Sequence, residues 1–278
     1  MRRGWLSWMI LGSLSLGLMG SAQARTRVLK DPRGDDKGPG TYVYPTDAAY
    51  KAGAFDITKV TIKDKGKRVE IQVRVATTID DPWNSSEWNG NGFSVQFAQV
   101  YFDLDHVEGS GSTRGLPGTN VLFEPKSAWD KVVLISPQPA TRVQTEIDLK
   151  AADLKKDIII PKVTRAQGNN LMAIVSKSDL GGSLPKTFGV QVLMQSNEGY
   201  PDATDLLTRK VNEYNGPHRF GGGSDYDCDP HVMDILMTPA QGGDEEAQAQ
   251  YDVLKRYVCD EDESKWVQAV LPMVYPGS

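Results

Sequence analysis

The sequence predicts a mostly β protein, an antiparallel β-sandwich with one C-terminal helix, on three observations. Short β-branched runs alternate apolar and polar residues, their spacers are rich in Gly, Pro, Asn and Asp, and no amphipathic helix intervenes between them. Residues 58–63 put Val60 and Ile62 on one face. Val69, Ile71, Val73 and Val75 alternate with Glu70, Gln72 and Arg74, the period of a half-buried strand. Lys65, Gly66 and Lys67 make the hairpin turn between the two. Residues 95–104 are apolar on both faces (Phe97, Val100, Tyr101, Phe102, Leu104), which fits a strand covered on both sides. Further strands are expected at 132–135, 143–147, 158–163, 171–175 and 190–194, with a closing strand at 266–274. The helix is expected at 244–258, where acids lead, Leu254, Tyr257 and Val258 fall at helical spacing, and Lys255 and Arg256 sit near the end that favours cations.

Residues 1–24 read as a secretory signal. Arg2 and Arg3 form a basic start, an apolar stretch follows from Trp5 to Met19, and Ala22, Gln23 and Ala24 make a small-x-small cleavage site. The apolar stretch is interrupted by Gly and Ser and is too short for the roughly 20 residues of a stable span. No later run is long enough, so the mature chain is expected to lack a transmembrane segment and to be exported, periplasmic or extracellular. Residues 25–278 carry no repeat and no low-complexity linker, so one domain is expected. Cleavage removes two arginines from 31 basic residues against 36 acidic ones, which leaves the mature chain at −7. Such a balance excludes nucleic acid as the natural partner, because phosphates demand clustered Lys and Arg. The two cysteines, Cys228 and Cys259, are expected to form one disulfide in an oxidising compartment, the alternative being two separate buried thiols.

The stretch at 31–56 packs five aspartates, four glycines and three prolines into 26 residues without apolar periodicity, so it is a shaped loop. Asp31, Asp35 and Asp36 repel one another unless a cation sits between them. Carboxylates on a tightly curled backbone suit a hard ion such as Ca²⁺, which takes about 6 to 8 oxygen ligands. Gly34, Gly38 and Gly40 permit the curl, and Pro32 and Pro39 lower its entropy cost. Asp31, Asp35, Asp36 and Asp56 are the expected ligands, and a solvated acidic loop is the plain alternative. Asp225, Asp227 and Asp229 share the spacing that opens a calcium loop, but Pro230 and Leu236 stand where an EF-hand needs Gly and Glu, so a turn beside Cys228 is preferred. Asp103 and Asp105, at the end of the central strand, are further carboxylates within possible reach of either site.

Residues 80–92 expose Trp83 and Trp88 among Asp, Asn, Ser and Glu. Sugars present apolar C–H faces and hydroxyl edges, so a site for them pairs flat aromatic platforms with polar side chains. Trp83, Trp88, Glu87, Asn89 and Asn91 have that chemistry. Trp83 beside a strand equally reads as a plug for the sandwich end, which makes Trp88 the better platform; Trp129 reads as core. His106, His218 and His231 are too scattered for a zinc site, and no G-x-S-x-G elbow is present.

Two blocks carry a resemblance. The run Asp31-Pro32-x-Gly34-Asp35-Asp36-x-Gly38-Pro39-Gly40-x-Tyr42-x-Tyr44-Pro45 followed by Gly53-Ala54-Phe55-Asp56 resembles the opening of the C-terminal binding-module family of glucodextranase. Arg219-Phe220-Gly221-Gly222-Gly223 and then Asp229-Pro230-x-Val232-x-Asp234-x-Leu236 resemble that family's later segment. The resemblance implies a sandwich like those of family 9 carbohydrate-binding modules and DOMON-like domains, and an accessory rather than catalytic role. The combined expectation is a non-catalytic protein that holds a polysaccharide or cell-wall polymer. A structural envelope protein without a glycan ligand is the alternative.

Overall fold

The computed structural model describes Met1, residues 25–238 and residues 246–276; the rest of the expected signal segment and the first two residues of the expected late helix lie outside these. Five antiparallel strands build one sheet, in the order β1 (Arg25–Lys30), β2 (Ile57–Lys65), β3 (Arg68–Val75), β9 (Asn170–Ser176) and β8 (Val163–Gln167). The second sheet runs β11 (Asp234–Ile235), β10 (Gly189–Ser196), β4 (Gln96–Asp103), β6 (Lys131–Ile135) and β7 (Ile158–Ile159). Its last pairing, β6 with β7, is parallel, as is the small ribbon of β5 (Val121–Phe123) with β12 (Ala269–Leu271).

The two-sided apolar run in the middle of the chain explains the layering. All eight residues of β4 are buried. Ala98, Val100 and Phe102 face the first sheet and join Val60, Ile71, Val73 and Ala173 in the core between the sheets. Phe97 and Tyr101 face the other way, into a second core with Trp129, Leu193, Ile147 and Leu271. The central sheet is therefore sandwiched on one side by strands and on the other by helices and the parallel ribbon, as the period of two requires.

One expected strand is a helix. Residues 143–147 lie inside α1 (Ala140–Lys150), which turns Val143 and Ile147 into the second core. The two apolar residues are four apart, and Glu146 pairs with Arg142 and Lys150 at 2.8 and 2.7 Å, each also four apart. Those helical spacings outweigh the β-propensity of two isolated β-branched residues. The late helix, α2 (Glu246–Leu254), stands where expected but ends at Leu254, and the closing strand is shortened to β12. β1 was not expected; it adds to β2 as an edge strand with mostly exposed side chains.

Cys228 and Cys259 are disulfide-bonded, with Cα atoms 5.7 Å apart. Closing a loop of this length is worth roughly 3 kcal/mol in the chain-entropy model. The bond ties the segment before β11 to the segment after α2. Reduction, or the double change Cys228→Ala and Cys259→Ala, is expected to lower the urea midpoint accordingly. Phe220→Ala, which empties the centre of a ring cluster with Tyr44 and Phe55 at 4.8 and 5.1 Å, is expected to cost about 3–5 kcal/mol in the same assay.

Candidate functional site

The acidic loop at 31–56 is docked against the 219–236 segment, so the two blocks that carry the resemblance are neighbours in space. Val43 bridges Gly221, and the Gly38 N–H donates to Met233 O at 2.7 Å. A Cβ at Gly38 would lie 2.3 Å from the Tyr42 ring, and one at Gly222 2.3 Å from Thr41 O, so both close approaches require glycine. Tyr42 Oη donates to Asp229 Oδ2 at 2.7 Å, which gives the third member of the 225–229 acid run a structural partner. Asp225 and Asp227 are exposed, Asp227 paired with Lys210, in keeping with a turn.

Inside this junction three carboxylates converge. The Asp31 N–H donates to Thr58 O within the β2 bulge, and Asp31 Oδ1 accepts from Met237 N at 2.6 Å. Asp234, on β11, accepts from Ile57 N at 2.5 Å through Oδ2, while its buried Oδ1 has no hydrogen-bond partner among the described residues. One oxygen each of Asp31, Asp35 and Asp234 lies within 4.8 Å of the others, and all three residues are buried. Two unit charges at about 5 Å repel by roughly 3–4 kcal/mol at an effective dielectric of about 20, so the cluster needs a cation or protons. Burial, then the charges of Asp31 and Asp35, push the Asp234 carboxyl well above the usual carboxylate range. The donors are all hard oxygens, a set that fits Ca²⁺ rather than a thiolate-preferring metal.

Of the four ligands expected from sequence, Asp31 and Asp35 belong to this triple. Asp36 and Asp56 flank it, each with one oxygen already engaged: Asp36 Oδ2 accepts from Tyr44 Oη, and Asp56 Oδ2 from Gly34 N at 2.8 Å. Asp234 completes the triple from a point 199 residues beyond Asp35, and its one signal in the sequence was its place in the second family-like block. A second group, Asp103, Asp105 and Asp130, also gathers within 4.8 Å. Its oxygens accept from His106 N, Tyr275 Oη, Val107 N, Ser110 Oγ and Leu104 N, which shapes the turn after β4.

The tryptophan loop forms one wall of a cleft of about 790 Å³. Asp81 organises the loop by accepting from Ser85 N and Oγ, both at 2.9 Å, and from Ser94 Oγ. Asn84 and Asn89 take left-handed φ of 49° and 60° on either side of the short helix Ser85–Trp88. Asn91 Nδ2 donates to Ser136 O and Gln138 O at 2.8 and 2.9 Å, so this side chain staples the loop to the start of α1. Glu87 and Asn89 are exposed and do not line the cleft.

Trp83 and Trp88 both line it. Trp83 is half-buried against the inter-sheet core, edge-on to Tyr50 at 5.9 Å, and the Arg209 guanidinium stands 5.3 Å from its ring centroid. It thus serves as a plug for the sandwich end as well as a wall. Opposite elements supply what the sequence reading did not single out: Gln138 and Arg142 at the start of α1, then Glu198, Tyr200, Arg209 and Arg219. Tyr200 is 92% exposed, an aromatic ring held out at the rim. Apart from Arg219, which opens the second family-like block, no local pattern marks these residues, because the start of α1 and separate loops bring them together.

A β-sandwich that closes at one end in an aromatic-walled cleft has the architecture of a binding module. The chain belongs to the family described as the C-terminal binding module, SLH-like, of glucodextranase, whose model matches residues 27–272. No curated protein matches the chain. No helix among the described residues is long and apolar enough to cross a membrane.

The acid cluster has a pH signature. Burial pushes the Asp56 carboxyl up to about 6 from its ordinary 3.8. The folded chain then holds a proton that the unfolded chain has lost, so this group penalises folding increasingly as pH rises from about 4 to above 6. In chelator, Asp56→Asn is expected to gain stability relative to wild type across that window, and paired urea titrations at pH 4.5 and pH 7 read the change.

Proposed function

We propose that the chain is an exported, non-catalytic protein that holds a polysaccharide or cell-wall polymer in the Trp88 cleft, with a Ca²⁺ ion stiffening the loop at 31–56. The observation that carries the binding reading is the cleft itself, where indole and phenol rings stand beside amide and charged groups on a member of a binding-module family. The disulfide supports export. The non-catalytic reading is supported by the cleft's chemistry. Glu198 is the one carboxylate among the described lining residues, and Arg209 and Arg219 hold it at 3.2 and 3.7 Å, whereas glycoside hydrolysis needs two carboxylates about 5–10 Å apart. Retardation of the protein in native gels containing polysaccharide tests the reading, with Trp88→Ala and Tyr200→Ala each expected to weaken binding about tenfold through the loss of one stacking face. Unretarded wild-type protein across a panel of plant, bacterial and storage polysaccharides would remove the glycan reading.

The Ca²⁺ reading rests on the buried triple of Asp31, Asp35 and Asp234. A ligand that binds only the folded state at 100 times its Kd adds about 2.7 kcal/mol. Calcium is therefore expected to raise the melting temperature by several degrees and EDTA to reverse it. Asp35→Ala is expected to abolish the shift. In Asp234→Asn the shift should also vanish while stability in EDTA rises at neutral pH, because folding no longer has to put a proton on this buried carboxyl. A melting temperature indifferent to both calcium and EDTA would dismiss the ion.

A further inference from the structure

We infer that the cleft selects an acidic saccharide, one bearing carboxylates such as uronic acids, over a neutral glucan; the inference rests on the glycan reading above and narrows it. The chain as a whole is acidic, with 36 Asp and Glu against 31 Lys and Arg, yet the cleft is lined by three arginines and one glutamate. A local sign opposite to that of the whole molecule is a site-specific feature, because the global balance would place acids there.

The pairings leave the arginines with capacity to spare. Glu198 is shared between Arg209 and Arg219, so one carboxylate faces two guanidinium groups. Glu146, behind Arg142, is likewise shared, with Lys150 at 2.7 Å. Asp202, near the rim, does not line the cleft and pairs with Lys210 at 3.0 Å. Arg209 is the structural member. It spends its donors on Glu198, Tyr50 Oη and His218 O, and its side chain is 11% exposed. Arg142 and Arg219 are the more available ones: besides their carboxylate partners each makes one longer bond, Arg142 Nη2 to Gly199 O at 3.3 Å and Arg219 Nη1 to Asn212 Oδ1 at 3.5 Å, and their side chains are 40% and 41% exposed. Guanidinium groups bind carboxylate oxygens in pairs of parallel hydrogen bonds, which neutral hydroxyls cannot match in charge. Trp88 and Tyr200, which line the same cleft as these arginines, supply the flat surfaces a sugar ring needs, so an acid group and a ring face can be accommodated together.

The test uses the mature chain in calorimetric titrations with three saccharides of equal length: an oligogalacturonide, its carboxyl-reduced counterpart and a neutral gluco-oligosaccharide. A poly-glutamate peptide serves as a fourth ligand. The oligogalacturonide is expected to bind at least about tenfold more tightly than its reduced form, and the gap should shrink between 50 and 500 mM salt as charges are screened. Arg219→Gln is expected to remove most of the preference by lowering the affinity for the oligogalacturonide several-fold more than that for the neutral oligosaccharide. The salt series on the wild type carries the same information should Arg142→Gln, whose partner Glu146 is buried, fail to fold. Equal binding of the acidic and carboxyl-reduced forms would overturn acid selection and leave the glycan reading standing. Binding of poly-glutamate without any saccharide, or of none of the four, would overturn both.

Discussion

The fold turns on one junction, the packing of the loop at 31–56 onto the segment at 219–236. That junction brings Asp31, Asp35 and Asp234 together in a buried place where like charges cost several kcal/mol. A loop rich in glycine has no intrinsic reason to settle there, since fixing each residue costs on the order of 1–2 kcal/mol. What favours the arrangement is a set of backbone and side-chain bonds between segments far apart in sequence: Gly38 to Met233, Val43 to Gly221, Tyr42 to Asp229. The carboxylates are then presented rather than dispersed. A cation between them would turn this crowded point of the junction into a cross-link of two chain segments, the loop at 31–56 and β11, which is the physical case for calcium on this fold.

The junction and the cleft are joined through a chain of rings. Tyr44 donates to Asp36 and packs on Phe55 at 5.9 Å; Phe55 stacks on Tyr50 at 6.1 Å; Tyr50 meets Trp83 at 5.9 Å. Arg209 then clasps the Tyr50 hydroxyl while lying over Trp83. The acidic loop therefore packs, through Tyr50, behind two residues of the cleft wall, Trp83 and Arg209. An ion that stiffened the loop would narrow the positions open to Trp83 and Arg209, and a preorganised wall would lose less entropy on binding a ligand.

How much of this could be read from sequence divides by distance along the chain. The hairpin of β2 and β3 was legible because its signal is local: Val69, Ile71, Val73 and Val75 alternate and Gly66 turns. The two-faced burial of β4 was legible for the same reason. The helix at Ala140–Lys150 was missed although Val143 and Ile147 are four apart, because two β-branched residues in a short run suit either period until Glu146 and its partners are counted. Trp83 and Trp88 were legible as aromatic residues in a polar loop. Tyr200 and Arg142 were not, and Arg219 stood out only as the first residue of the second family-like block, since an arginine on a helix and another on a loop carry no mark of sharing a cleft until the topology places them. Asp234 sat in a short motif whose meaning depends on Asp31, 203 residues earlier.

The cleft's composition also explains why a wall of aromatic residues alone does not define its ligand. Stacking is tolerant: an indole face accepts any ring with C–H groups along one side, so Trp88 and Tyr200 supply affinity with little discrimination. Discrimination comes from groups that are costly to leave unmatched. A glutamate placed between two guanidinium groups cannot neutralise both, and the surplus is sustained here by Arg209, whose guanidinium is fixed by Tyr50, His218 and Glu198 and so cannot swing out to relieve Arg219. An incoming carboxylate would complete that arrangement, whereas a neutral hydroxyl would leave the excess charge as it was. The same fixed arginine that closes over Trp83 therefore ties the ring chain, the cleft wall and the choice of ligand to a single side chain.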